Sequence, residues 1–359
     1  MSGRYRRPRT GKQVTVSGVP VPFTFWPDAY IARGRVITSD PWSCFASHVR
    51  SGASSAKRKN LALAFLEQAQ DFYHAANTPR MGSRSLLYYY SFMNLVKACL
   101  AVQTNLDLTK CIHGLREPAA NIRGRLTITS QAIQIDDAGG NRLPLYREFM
   151  KICRFPVPQR PASTKVVDLL EQIVGIHGIW SHTLKRTRKY FAVKEINFEH
   201  DPTAKEAWIS LSADRSEISD AAADIRRNMT SFDEVESSVR SQRRYESDPI
   251  KYTKSPKQIL RKLVILTWKD IWSELRPGRY QWWITSISKT KRRAQLASGY
   301  QAMFFLGSIA RYRPDDFYKL LEGKHGWMLR EFINTQPLQF IYFLGCGLID
   351  AEVVVPELA

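Results

Sequence analysis

The chain lacks any apolar stretch long enough to span a membrane. Its longest, Leu338 to Ile349 (LQFIYFLGCGLI), stops well short of the about 20 residues that a bilayer requires, so it is expected in a core, and no membrane partner is expected. Cysteine is scarce. Cys44, Cys99, Cys111, Cys153 and Cys346 are odd in number and scattered, with neither a C-x-x-C pair nor a zinc spacing. That argues against a disulfide framework and fits a reduced, cytoplasmic setting. No apolar segment follows the charged start MSGRYRRPRTGK, so a secretory signal is not expected. Also missing are G-x-x-x-x-G-K-[ST], G-x-G-x-x-G after a strand, G-x-S-x-G and H-E-x-x-H, and with them the usual nucleotide-binding, hydrolase and zinc-protease signatures. The acidic pairs Asp136/Asp137, Asp233/Glu234 and Asp315/Asp316 are adjacent in sequence and point apart on helix or strand, so no metal and no other cofactor is expected. Internal repeats and low-complexity linkers are absent too.

Acid is in short supply. Across 359 residues, 33 Asp+Glu face 53 Lys+Arg, for a formal charge of +20. The expected partner is a polyanion, with nucleic acid (RNA or single-stranded DNA) ahead of an anionic membrane surface. A hydrophobic fraction of 44% and an aromatic fraction of 11% are too rich in core-formers for disorder, so the charge rides on a folded protein. The cations cluster: Arg6, Arg7 and Arg9 in a basic arm; Lys185, Arg186, Arg188 and Lys189 in KRTRK; Arg243 and Arg244 in RSQRR; Lys291, Arg292 and Arg293 in KTKRR. Tyr190, Phe191, Trp282 and Trp283 lie beside them. Cations can track a phosphate backbone while aromatics stack on unpaired bases; the alternative is a solvated charged face over a sheet whose aromatics are core.

Periodicity predicts the organisation. Val14 to Phe25 alternates, but its prolines and glycine make it an edge strand or extended wrap. Helical spacing runs over Asn60 to Ala76, with Asn60 placed as N-cap, and a second helix follows NTPRMGS. The middle changes character: Arg125 to Ile135 reads as strand, Thr164 to His182 has a helical period, and KRTRKYFAVKEINFEH with AWISLSAD reads as a hairpin. Ser216 to Val239 reads as exposed helix and loop, and Leu260 to Trp272 and Tyr280 to Ile287 as aromatic, β-rich sequence. Three or four helices follow Arg293. The expected fold class is mainly α with a β-containing middle (α+β). Residues 1–59 would form the basic arm and wrap, 60–120 the N-terminal part of a helical bundle, 121–288 the β-containing lobe, and 289–359 the helices completing the bundle.

One helix poses a chemical question. RSLLYYYSFMNLVKACLA (Arg84 to Ala101) is apolar nearly all round, yet carries Asn94 and Lys97. At about 100° per residue, Leu87, Tyr90, Asn94, Lys97 and Ala101 share one stripe about 80° wide. Either the amide satisfies a neighbouring backbone and the ammonium snorkels out, or both line a polar pocket. His113 in CIHGLRE is a turn residue or a general acid/base and phosphate contact. In ARYRPDD, Pro314 suits the first turn of a helix whose positive N-terminus suits Asp315 and Asp316. Arg311 and Arg313 then sit at a junction, where a guanidinium clamps a phosphate or pairs with a carboxylate to lock two helices.

The combination RSLLYYYSFMNLVKA, then IHGL, then MFFLGSIARYRPDDFYKLLEGKHGWMLREFINTQPLQF, resembles the YaaC-like family of bacterial proteins, and touches both halves of the chain. The resemblance implies little about activity. YYYSFMNLVKA followed by IHGL is also similar to HEPN domains, helical modules many of which are dimeric ribonucleases in toxin and phage-defence systems. That likeness implies N- and C-terminal helices packed as an HEPN-like bundle, a nucleic acid setting, an antiviral effector or accessory role, a homodimer, and a protein partner from the same locus. The HEPN motif sets an Arg and then, after four to six intervening residues, a His on one helix; here none of the seven histidines has an Arg at that distance before it, and only Lys194 to His200 and Lys319 to His325 come near. Three functions are therefore carried forward: a nucleic-acid-binding protein with RNA favoured; a divergent, metal-independent endoribonuclease using His113, Asn94, Lys97 and Arg311 or Arg313; and a dimerising scaffold.

Overall fold

The computed structural model describes residues 11–16, 19–20, 35–118, 126–136, 142–159, 161–201, 206–213, 232–235, 238–241, 245–246, 271–288 and 290–357. The fold is α+β. Two compact units divide it: Met1–Arg35, Lys189–Arg292 and Asp350–Glu352 make the first, and Val36–Arg188, Arg293–Ile349 and Val353–Ala359 the second.

The first unit is built on an antiparallel sheet. Its strand order is Phe232–Val235, Ser238–Ser241, Glu206–Ala213, Tyr190–Asp201, Arg279–Thr285, Ile271–Arg276, with Lys12–Gln13 also pairing to Tyr190–Asp201 and Tyr245–Glu246 to Glu206–Ala213. The expected hairpin is present, in a register that sets Ile196 opposite Leu211 and Phe198 opposite Ile209. A second hairpin pairs Arg276 with Arg279 across Pro277-Gly278, where Gly278 takes φ 71°. Pro then Gly is the sequence that a two-residue turn needing one positive φ selects. Phe232–Val235 and Ser238–Ser241 are strands and not the helix and loop that polarity suggested; the rest of 216–231 lies outside the described residues. Pairing to Glu206–Ala213 supplies backbone partners that composition does not announce.

The helices among the described residues lie in the second unit: α1 Pro41–Ser51, α2 Ala56–Asn77, α3 Met81–Gln103, α4 Leu145–Ile152, α5 Val166–Glu171, α6 His177–Leu184, α7 Gln295–Tyr312, α8 Pro314–Glu322 and α9 Gly326–Ile349. The start of α1 is set by Pro41 and by Asp40, whose carboxylate accepts from the Ser43 N–H at 3.1 Å. Asn60 is not a cap: α2 begins one turn earlier, because AKRK before it favours helix and Arg58 Nε reaches the Ala101 carbonyl at 2.9 Å, among the last carbonyls of α3. The expected strand over 125–135 shrinks to Ala132–Ile135, since Thr127 accepts from the Ser130 and Gln131 N–H groups and closes a turn before it. The helical period over 164–182 breaks into a strand end, α5, a 3-10 turn and α6, interrupted around Gly175. HGWMLREFIN and PLQFIYFLGCGLI form one helix across Pro337. A proline inside a helix costs about 3 kcal/mol, and burial of Phe332, Ile333, Phe340 and Ile341 on either side, about 1.5–3 kcal/mol each, offsets it.

Helix α3 is the centre of this unit, packed by α2, α4, α7 and α9. Phe92 stacks on Phe340 with centroids 3.9 Å apart, and buried Ser91 donates to the Ala69 carbonyl at 2.7 Å, tying α3 to α2. Where α7 crosses α3, Gly307 permits the approach: a Cβ there would stand 3.3 Å from the Leu86 Cα and from the Tyr89 Cβ. Among the described residues no helix is long and apolar enough to cross a membrane.

Candidate functional site

The three consecutive tyrosines of α3 point about 100° apart, and each phenol meets a different partner. Tyr88 donates to Asn77 Oδ1 at 2.9 Å. Tyr89 Oη lies 2.6 Å from His113 Nδ1. Tyr90 Oη accepts from Arg311 Nη1 at 2.9 Å. One helix thus gathers the histidine of the CIHGL segment and the arginine at the end of α7.

His113 is held by its backbone. Cys111–Ile112 pairs in parallel with Leu143–Pro144, while Leu115–Arg116 pairs antiparallel with Ala132–Ile135, so residues 113 and 114 bridge two small sheets. The His113 carbonyl accepts from the Tyr146 N–H at 3.2 Å, and the Gly114 carbonyl from the Asp136 N–H at 3.0 Å. Gly114 stands at φ 72°, a conformation that residues with a Cβ adopt at a cost, so the glycine beside the histidine is what lets the chain turn between the sheets.

The imidazole packs beside Tyr89 and Phe304, with centroids 5.6 and 6.0 Å away, while the residue as a whole is exposed. Desolvation on the packed side, then the charges of Lys97 and Arg311, hold its pKa below the usual histidine value. At pH 7 it is therefore a neutral ring beside two cations. Nδ1 belongs to Tyr89, and Nε2 has no hydrogen-bond partner among the described residues. Burial, then Tyr300, pushes the Tyr89 phenol far above its ordinary range, so it acts as a neutral hydrogen-bonding group. Lys97 is half-buried, with its ammonium 5.4 Å from the Phe65 ring centroid. The neighbouring thiol of Cys111 is pushed up by burial, with Lys97 pulling the other way. On the far rim, Ser308 of α7 donates to Glu117.

The predicted site residues divide accordingly. Tyr89 and Tyr90 of α3 hold His113 and Arg311, and Lys97, on the same helix, is near enough with Arg311 to act on the His113 ring electrostatically. Asn94 is 3% exposed, on the same stripe as Tyr90 and Lys97, and carries no side-chain hydrogen bond among the described residues. Arg313 does not join them: its guanidinium is 2.8 Å from Asp316, locking α7 to α8 across the Pro314 junction. The Lys-then-His stand-ins for the HEPN motif fail geometrically, because Lys194 and His200 lie on a strand and His325 lies beyond the end of α8.

The basic clusters are uneven. Lys185, Arg186 and Arg188 are exposed, with Arg186 over the Trp180 ring at 5.4 Å. Arg293 and Lys291 are exposed and Lys189 is half-buried. Arg292 is a correction: it is 8% exposed, donates from Nε to the Ile287 carbonyl at 2.7 Å, and has its pKa lowered to about 10 by burial, so it braces a turn instead of facing a ligand. Arg6, Arg7, Arg9, Arg243 and Arg244 lie outside the described residues. Tyr190 and Phe191 are core, at 1% and 6% exposure, and Trp282 and Trp283 are half-buried, so the core alternative describes the first two.

Sequence reasoning missed the Tyr89 and Tyr90 hydroxyls and Phe304. The available signal was the triple tyrosine itself: on a helix buried all round, phenols need partners.

No curated protein and no solved structure matches the chain. The family model described as YaaC-like protein matches residues 33–348, a span that holds Tyr89, Tyr90, Asn94, Lys97, His113 and Arg311, and the chain belongs to that family.

Proposed function

We propose that this YaaC-like protein binds nucleic acid, RNA in preference to DNA, and takes a backbone phosphate at His113, Arg311 and Lys97. The observation that carries the reading is the exposed His113, tied through Nδ1 to Tyr89, with Arg311 tied to the next tyrosine of the same helix and Lys97 near enough to act on the ring electrostatically. An anion fits between these groups: a phosphate oxygen accepts from Nε2–H, when Tyr89 donates to Nδ1, and from the guanidinium fork. The overall charge of +20 supplies the long-range attraction. Fluorescence anisotropy with single-stranded RNA, single-stranded DNA and duplex at several salt concentrations tests it. Binding whose logarithm falls linearly with log salt is expected, weakened by Arg311→Ala; no binding at low salt ends the reading.

Metal-independent endoribonuclease activity is the second reading, favoured by one observation: His113 is neutral at pH 7 and so equipped as a general base, with Lys97 and Arg311 beside it to stabilise charge developing on phosphate. RNA cleavage abolished in His113→Ala is the expected result, and retained cleavage removes it.

A further inference from the structure

Helix α7 is buried almost without a break from Gln295 to Gly307 and emerges only at its last turn, where Arg311 and Tyr312 are both exposed. Tyr312 is 69% exposed, the most open of the large hydrophobic side chains described. The Arg311 guanidinium carbon lies 5.0 Å from the Tyr312 ring centroid while its Nη1 donates to Tyr90, so one arginine connects the His113 cluster to an aromatic face in solvent. Of the aromatics that sequence placed beside basic clusters, Tyr190 and Phe191 are core and Trp282 and Trp283 half-buried, whereas Tyr312 is exposed next to the arginine assigned above to phosphate.

We propose that Tyr312 is a base-stacking platform and that the ligand of this site is a single-stranded nucleic acid, one unpaired base resting on Tyr312 while the adjoining phosphate engages Arg311 and His113. The proposal rests on the phosphate reading above and adds the strand class. A guanidinium covers at most one face of the ring, and with 69% of the residue in solvent the remaining area is open to a base. Every base has a π-face, so the contact is tolerant of sequence, whereas bases within a duplex are already stacked on one another and out of reach.

Three labelled probes separate the possibilities: a short single-stranded oligouridylate, a duplex of the same length, and an abasic single strand of the same length. In the full chain, Tyr312→Ala is expected to weaken the oligouridylate on the order of ten-fold, the loss of one stacked base, while duplex and abasic binding stay unchanged and Tyr312→Trp restores affinity. Circular dichroism and thermal unfolding of each variant check that this surface change leaves the fold intact. Unchanged oligouridylate binding in Tyr312→Ala, or equal weakening of all three probes, overturns the platform while leaving the phosphate reading standing. If the unsubstituted protein binds none of the probes, both fall together.

Discussion

Gly114→Ala probes the link between backbone and site most directly. Residue 114 sits at φ 72°, where an L-residue pays about 1–2 kcal/mol. The new Cβ would stand 3.1 Å from Pro144 Cβ, 3.2 Å from its carbonyl carbon and 3.3 Å from its Cα. Those are backbone and ring atoms that cannot rotate away, so crowding adds about 1 kcal/mol, the low end for overpacking. The sum is about 2–3 kcal/mol, which lowers the thermal midpoint by roughly 4–12 °C at about 2–4 °C per kcal/mol. Gly114→Asn keeps the crowding but tolerates the left-handed conformation better, so it should lose about half as much. A shift of the turn also opens the packed side of the His113 ring to water, relieving the desolvation that chiefly depresses it, so the imidazole titration followed by NMR should move up toward the ordinary value of about 6.5. Differential scanning calorimetry gives the first number. A midpoint unchanged within about 1 °C in Gly114→Ala, or a larger loss for Asn than for Ala, would refute the reasoning, because the positive φ would then carry no strain.

The depressed pKa of His113 sets a pH dependence. The folded state prefers the neutral ring, so this contribution to stability is present above the unfolded value of about 6.5 and is lost as pH falls through the lower folded value. His113→Gln should flatten that acid-side decline relative to the unsubstituted protein in pH-dependent unfolding; identical slopes would show that the ring is not the group responsible. Arg311→Ala and Lys97→Ala are each expected to reduce the salt slope of RNA binding by about one, and an unchanged slope in either would remove that residue from the phosphate contact. Asn94→Leu should leave thermal stability unchanged or raise it by about 1 kcal/mol, since the buried amide has no side-chain hydrogen bond among the described residues. A fall of several degrees would mean that the amide holds a backbone group.

Local chemistry was legible in the residue order. Periodicity found α3 and the helices after Arg293, alternation found the Tyr190–Asp201 and Glu206–Ala213 hairpin, and Pro314 with two aspartates marked the start of α8. The differences from local expectation have separate physical causes. At Pro337, burial against distant chain outweighs a local term of about 3 kcal/mol; at Asn60, the local helix preference of AKRK and the Arg58 bond to the Ala101 carbonyl act together; and the 164–182 period yields locally around Gly175. Arg292 and Arg313 show the limit for charge: cations are equally visible in sequence whether they face solvent, brace a turn or pair with Asp316.

By itself the sequence determined the excess of positive charge, the α+β pattern, the family, and the stripe on α3 that carries Tyr90, Asn94 and Lys97. Only the tertiary structure decided which residues share a site. Tyr89 meets His113 and Tyr90 meets Arg311 across separations of 24 and 221 residues, contacts that depend on the close crossing at Gly307 and the left-handed turn at Gly114. Packing of helices against one another, which no single segment encodes, is what turns a run of tyrosines into a set of hydrogen-bond partners.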